Sequence, residues 1–160
     1  MNAYFAYLNG LINKHKIDYS AYSEIKWLNP YEAVYYQEKR DAMLASFKEK
    51  ALFKDTKPFF NGISTGCKLC GHGLWSCLFI TSKCNATCFY CPTAQNTNDL
   101  PETQGLTFET AESYAEYVKY FKFKGVAFSG GEPLLAVDKI LAYTSELRKT
   151  YDPDLYMDVH

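Results

Sequence analysis

The sequence predicts an α/β fold in which three short parallel strands are joined by crossover helices and preceded by a helical N-terminal segment. Three observations carry that expectation. Apolar runs stand at 77–81, 125–129 and 155–159, each of a length that suits a buried strand. Two stretches with apolar residues at helical spacing lie between them. Ahead of the first run, about sixty residues keep helical rather than alternating spacing.

Residues 1–62 are expected to form the helical segment. Asn29 is placed to cap a helix that has Pro30 at its first position. Val34, Met43, Leu44, Phe47 and Leu52 continue roughly helical spacing as far as Lys54, and Pro58 and Gly62 then close the segment. A packing or capping role accounts for such a stripe without any chemistry. Residues 63–160 are expected to form an incomplete α/β core. The run at 77–81 opens it, and 107–121 reads as a helix capped by Thr107 in preference to Thr110. Ala111, Tyr114, Ala115 and Val118 form the stripe of that helix. After the strand at 125–129, Pro133 begins a second helix with Leu134, Val137, Leu141 and Leu147 inward. Lys149 lies near its end, where a cation suits the helix dipole. The chain stops at His160, directly after the third strand. Three parallel strands cannot close a barrel, and a bare edge strand invites pairing. The expectation is therefore a fragment of a longer protein, or an edge that something else covers.

Composition narrows the function classes. The chain has 160 residues, 48% hydrophobic and 22% charged, with 14 Tyr and 11 Phe; this suits a folded core rather than disorder. Net charge is −1 with dispersed Lys and Arg, which argues against a nucleic-acid surface. No apolar run has the length of a membrane span, and the first ten residues lack the pattern of a secretion signal. A cytoplasmic location is the default expectation. All six cysteines fall between Cys67 and Cys91. Cytosolic thiols are kept reduced, so metal binding rather than disulfide formation is the leading explanation.

Cys84, Cys88 and Cys91 lie in one loop, 84–92, after the first strand. A cuboidal [4Fe–4S] cluster usually takes four Cys ligands; three leave one iron open to a cofactor or substrate. A zinc reading competes. Cys67 and Cys70 pair with Cys88 and Cys91 as two Cys-x2-Cys elements 17 residues apart, inside the window of a four-cysteine zinc site. On that reading the chain is a zinc-binding interaction module and Cys84 and Cys77 are bystanders. The apolar run between the pairs weighs against it, because zinc ribbons usually carry turn-rich hairpins there.

A second motif, Ser129-Gly130-Gly131-Glu132-Pro133, sits where a strand gives way to a helix. Ligands of α/β sheets bind at the carboxyl ends of parallel strands, so the cysteine loop and this turn are expected on one rim. Bare glycines would let backbone carbonyls approach a ligand cation, Glu132 adds a carboxylate, and Pro133 fixes the turn into the helix.

The Cys-x3-Cys-x-aromatic-Cys loop together with Gly130-Gly131-Glu132-Pro133 resembles the radical S-adenosylmethionine (SAM) superfamily. The resemblance implies the first half of a partial (β/α)6 barrel. It implies a [4Fe–4S] cluster on Cys84, Cys88 and Cys91, with SAM held at Tyr90, Ser129, Gly130, Gly131, Glu132 and Pro133. It also implies reductive SAM cleavage to a 5′-deoxyadenosyl radical that abstracts hydrogen from a substrate. A flavodoxin- or ferredoxin-type one-electron donor, an oxygen-sensitive centre, and a small-molecule or protein substrate follow from it. No residue is assignable as a substrate acid or base. The stretch from Cys67 to Gly73, followed by the first strand, is similar to archaeal-type members related to pyruvate formate-lyase activating enzymes. Cys67 and Cys70, with His72, are candidates for a second, small metal site, and Cys77 for a packed apolar side chain. An electron-transfer iron–sulfur protein is the third class, though it would want a fourth ligand.

Overall fold

In the computed structural model, residues 3–46, 51–54, 56–59, 61–91, 94–97 and 100–160 are described. The chain divides into two units, Met1–Phe60 and Asn61–His160. In the first, helix α1 (Ala3–Asp18) is followed by helix α2 (Pro30–Ala45). Asn29 caps α2 as its sequence suggests. Its Oδ1 accepts from the Tyr31 and Glu32 amides at 2.9 and 3.0 Å. Glu32 accepts in return from the Asn29 amide at 3.3 Å, which completes a capping box. Phe5 stacks on Tyr31 with ring centroids 4.5 Å apart.

The stripe expected to run from Val34 to Lys54 does not hold together. Helix α2 stops at Ala45, where the Ser46 hydroxyl bonds the Met43 carbonyl at 2.6 Å. Leu52 lies instead in β1 (Ala51–Leu52), which pairs antiparallel with β2 (Lys57–Pro58). Phe53 and Lys54 turn between these strands with φ of 54° and 57°, a left-handed conformation that no helix tolerates. Val34 and Met43 are exposed, and Phe47 lies outside the described residues. Among the described side chains of this unit none is buried.

The second unit carries the core. After helix α3 (Thr65–Gly71) come strand β3 (Trp75–Thr81), the short strands β4 (Glu102–Thr103) and β5 (Leu106–Thr107), and helix α4 (Ala111–Phe121). Strand β6 (Gly125–Gly130), a 3-10 turn (Pro133–Ala136), helix α5 (Val137–Thr150) and strand β7 (Tyr156–Val159) complete it. The sheet order is β5-β4-β3-β6-β7. Strands β3, β6 and β7 run parallel, in agreement with the three apolar runs. The β4–β5 hairpin, which the sequence reading missed, adds antiparallel to the free side of β3. Its two-residue turn has φ of 53° at Gln104 and 75° at Gly105, the positive values that a tight primed hairpin turn requires.

Strand alternation sorts the sheet's faces. Leu78, Ile80, Val126 and Phe128 point to the side covered by α4 and α5 and are essentially fully buried with Tyr114, Val118 and Leu147. Trp75, Cys77, Phe79 and Ser129 alternate with them and line the opposite face. Thr110, not Thr107, caps α4, its hydroxyl accepting from the Ser113 amide at 3.2 Å; Thr107 is consumed by β5. The second expected helix is also rearranged. Its first turn is 3-10, so the register shifts, and Ile140 and Tyr143 join Leu147 inside while Leu134, Val137 and Leu141 are exposed.

Candidate functional site

The parallel register aligns Thr81 with Gly130. The loop that follows β3 and the turn that follows β6 therefore leave the same edge of adjacent strands. Their backbones are joined there: the Gly131 amide donates to the Thr81 carbonyl at 2.9 Å and the Glu132 amide to the Lys83 carbonyl at 2.7 Å. The glycines permit this approach. A Cβ on Gly130 would collide with the Thr81 carbonyl oxygen, and one on Gly131 with the carbonyl oxygens of Lys83 and Ser82. Gly130 also has φ of 153°, which favours glycine. The absent side chains thus make room for the base of the cysteine loop. Glu132 spends Oε1 as a cap, accepting from the Leu134 amide at 3.1 Å, and Pro133 is buried at the start of the 3-10 turn.

Within the loop, Cys84 and Cys91 are half-buried and Cys88 is exposed, and none of the three is in a disulfide. The Ala86 amide points at Cys84 Sγ at 3.4 Å, and the Cys91 amide bonds the Cys88 carbonyl at 3.1 Å. Tyr90 is exposed beside Phe89. A hydrogen bond to Cys88, reinforced by the sulfur charges of Cys88 and Cys91, holds its phenol above the ordinary tyrosine range. Among the described residues no three His, Cys, Asp or Glu side chains are gathered closely enough to hold a metal ion. The donor set itself suits iron and sulfide: three soft thiols on one accessible loop, anchored at its base.

The polar residues anchoring that base were not singled out from sequence. Thr81 Oγ1 accepts from the Lys83 amide at 3.1 Å, and Ser82, buried, donates its hydroxyl to the Thr97 carbonyl at 2.7 Å. Asn96 bonds the Cys84 backbone. The one available signal was an Asn within a polar turn stretch, since Asn tolerates left-handed backbone.

Cys67 and Cys70 sit on α3, before β3, whereas Cys88 and Cys91 follow it. Helix α3 packs beside the strand's N-terminal end, Gly66 against the Trp75 ring. At about 3.3 Å per residue the seven residues of β3 span roughly 20 Å, so the two Cys-x2-Cys elements belong to opposite ends of a strand, a geometry that disfavours a shared zinc ion. Cys77 does not pack in the core. It is accessible on the open face, where desolvation and the nearby Cys70 push its thiol up against the opposing effect of a hydrogen bond to Ser129. It lines a cavity of about 500 Å³ with Phe79, Glu102, Thr103, Gln104 and Ser129.

Residues 69–157, more than half the chain, match the model of the 4Fe-4S single cluster domain, and the chain belongs to that family. The relatives are radical SAM proteins, and the cofactors of this class are a [4Fe–4S] cluster and SAM. A Methanocaldococcus jannaschii protein named as a glycyl-radical enzyme activating enzyme is 34% identical over 95 residues, 58% of this chain and 25% of its own length. The GTP 3′,8-cyclase of Listeria welshimeri is 36% identical over 59 residues, 37% of this chain and 18% of its own. That of Rhodopirellula baltica is 40% identical over 60 residues, 37% of this chain and 17% of its own. The chain thus spans a quarter or less of the length of these relatives. No solved structure matches it. Among the described residues no helix is long and apolar enough to cross a membrane.

Proposed function

We propose that this chain supplies the cofactor-binding part of a radical SAM enzyme, with Cys84, Cys88 and Cys91 as the cluster ligands. What supports this most is the backbone junction between the cysteine loop and the Gly-Gly-Glu-Pro turn. It brings three thiols and a candidate SAM-binding turn to one sheet edge through Gly131–Thr81 and Glu132–Lys83 hydrogen bonds. Tyr90 and the turn from Ser129 to Pro133 are the proposed SAM contacts. When bound, cluster and SAM together supply a reductively generated radical that abstracts hydrogen; the protein's part is to hold, orient and shield them. In this reading β3, β6 and β7 are the first part of a (β/α)6 barrel, with residues 1–62, two helices and a short hairpin, as a segment preceding it. The open sheet face bearing Cys77, Phe79 and Ser129 is its interior. An external one-electron donor is required. The longer match to an activating enzyme than to the cyclases supports a protein substrate over a nucleotide.

Anaerobic reconstitution with iron and sulfide, followed by absorbance and electron paramagnetic resonance with and without SAM, tests the proposal. The expected result is one [4Fe–4S] cluster per chain whose signal changes on adding SAM. The chain is expected to bind SAM weakly and turn over little by itself. A colourless protein holding stoichiometric zinc would overturn the reading, and a cluster indifferent to SAM at millimolar concentration would remove its SAM site.

A further inference from the structure

We infer that Asn96 is the positioning residue of the cluster loop: its side chain clamps the Cys84 backbone and so fixes one corner of the site before any iron arrives. The inference rests on reading Cys84 as a cluster ligand. Asn96 Oδ1 accepts from the Cys84 amide at 3.2 Å, and Asn96 Nδ2 donates to the Cys84 carbonyl at 3.4 Å. One side chain thereby engages both polar groups of the same residue from twelve positions away. The backbone around it is fixed as well. The Asn96 amide donates to the Ser82 carbonyl at 3.0 Å. Next door, Ser82 Oγ donates to the Thr97 carbonyl at 2.7 Å and accepts from Thr97 Oγ1 at 3.2 Å. Ser82 is only 2% exposed, so the returning chain is tied to a buried anchor.

The segment from Thr81 to Cys84 is therefore held from two sides. The glycine turn grips it through the Thr81 and Lys83 carbonyls, and Asn96 grips it through Ser82 and Cys84. Cys84 is thus registered against Gly130 and Gly131 by protein contacts alone, while residues 85–90 project into solvent. Pinning both ends of a loop removes closure entropy that cluster insertion would otherwise have to offset. The position calls for asparagine on two counts. Asn96 has φ of 58°, a left-handed conformation that Asn adopts more readily than other side-chain-bearing residues. Its amide also donates and accepts at once. Aspartate keeps the acceptor and loses the donor; glycine and alanine lose both, and of these two only glycine adopts the left-handed backbone freely.

The test uses Asn96→Ala, Asn96→Gly and Asn96→Asp with two readouts. Hydrogen exchange of the Cys84 amide in the metal-free chain reports the clamp, and iron release from the reconstituted chain to a chelator reports its consequence. With two hydrogen bonds lost, Asn96→Ala and Asn96→Gly should each speed both by about tenfold, with unchanged circular dichroism for the glycine variant. Asn96→Asp should restore protection of the Cys84 amide. Wild-type behaviour of Asn96→Gly in both readouts overturns the inference, because asparagine would then be needed only for its backbone. Unchanged exchange in Asn96→Ala overturns it too. If the wild-type chain takes up no cluster, the ligand reading fails, and the exchange measurement still decides whether the clamp exists.

Discussion

The two ends of β3 carry the same short pattern, a pair of cysteines with two residues between them, and are built in different ways. At the N-terminal end Cys67 and Cys70 ride on the two-turn helix α3, held by side-chain packing of Gly66 and Leu69 around Trp75 and Gly125. At the C-terminal end the cysteine loop is tied to the neighbouring strand by main-chain hydrogen bonds, through glycines that leave no room for a methyl group. Spacing alone does not separate these stations. The strand between them does, because it assigns one pair to the edge where ligands of parallel sheets collect and the other to the opposite edge.

The sharpest way to break that contrast is to remove the sulfurs one at a time. Cys84→Ala, Cys88→Ala and Cys91→Ala should each abolish the [4Fe–4S] absorbance and resonance signals after reconstitution. Cys67→Ala and Cys70→Ala should retain wild-type iron and sulfide per chain. Loss of the cluster in either of the latter two would move the site to the wrong end of the strand. Next in size is the glycine junction. Gly130→Ala meets both a strained φ and the Thr81 carbonyl, each contributing on the order of 1–3 kcal/mol. Gly73, at the N-terminal end, has φ of 71° and nothing within 4 Å of an added Cβ, so Gly73→Ala should cost only the conformational term, about 1–2 kcal/mol. Urea unfolding of both variants checks the difference; equal losses would mean that the junction is looser than its hydrogen bonds indicate.

The three parallel strands and both motifs were legible because each is a local signal: an apolar run, a thiol cluster, a glycine pair before a proline. Family membership followed from the motifs together. What the sequence did not disclose depends on distant partners. The β4–β5 hairpin hides behind a Gln104-Gly105 turn instead of the stronger Asn-Gly, and its strands are only two residues long. The inward face of α5 was misassigned because a 3-10 turn uses up four residues with a different period. Asn96 has meaning only once the loop returns to Cys84. The glycines teach a related lesson: a missing side chain announces close approach, but only the fold shows that the Thr81, Ser82 and Lys83 carbonyls are what approaches.

The smallest expected effect concerns how the N-terminal half of β3 is held on the core face. Tyr114 of α4 donates its phenol to Ser76 Oγ at 2.9 Å in a buried site, and burial pushes its pKa well above the ordinary value, with Tyr117, Cys77 and Tyr143 adding smaller upward contributions. In the unfolded chain the phenol ionises near pH 10, whereas the folded chain keeps the proton beyond it. The unfolded state then binds fewer protons than the native one, so stability present below about pH 10 is lost as pH rises further. Tyr114→Phe should cost about 1 kcal/mol at neutral pH and flatten the alkaline loss. A residual slope should remain, because Tyr117 and Tyr143 are also shifted upward by burial. Denaturant unfolding of wild type and variant between pH 8 and roughly 11 measures this, the upper limit being set just past the free phenol's range. An unchanged alkaline slope in Tyr114→Phe would show that the Tyr114–Ser76 contact opens to solvent before it titrates. The N-terminal end of the strand would then be held by packing and by its main-chain ladder to β6.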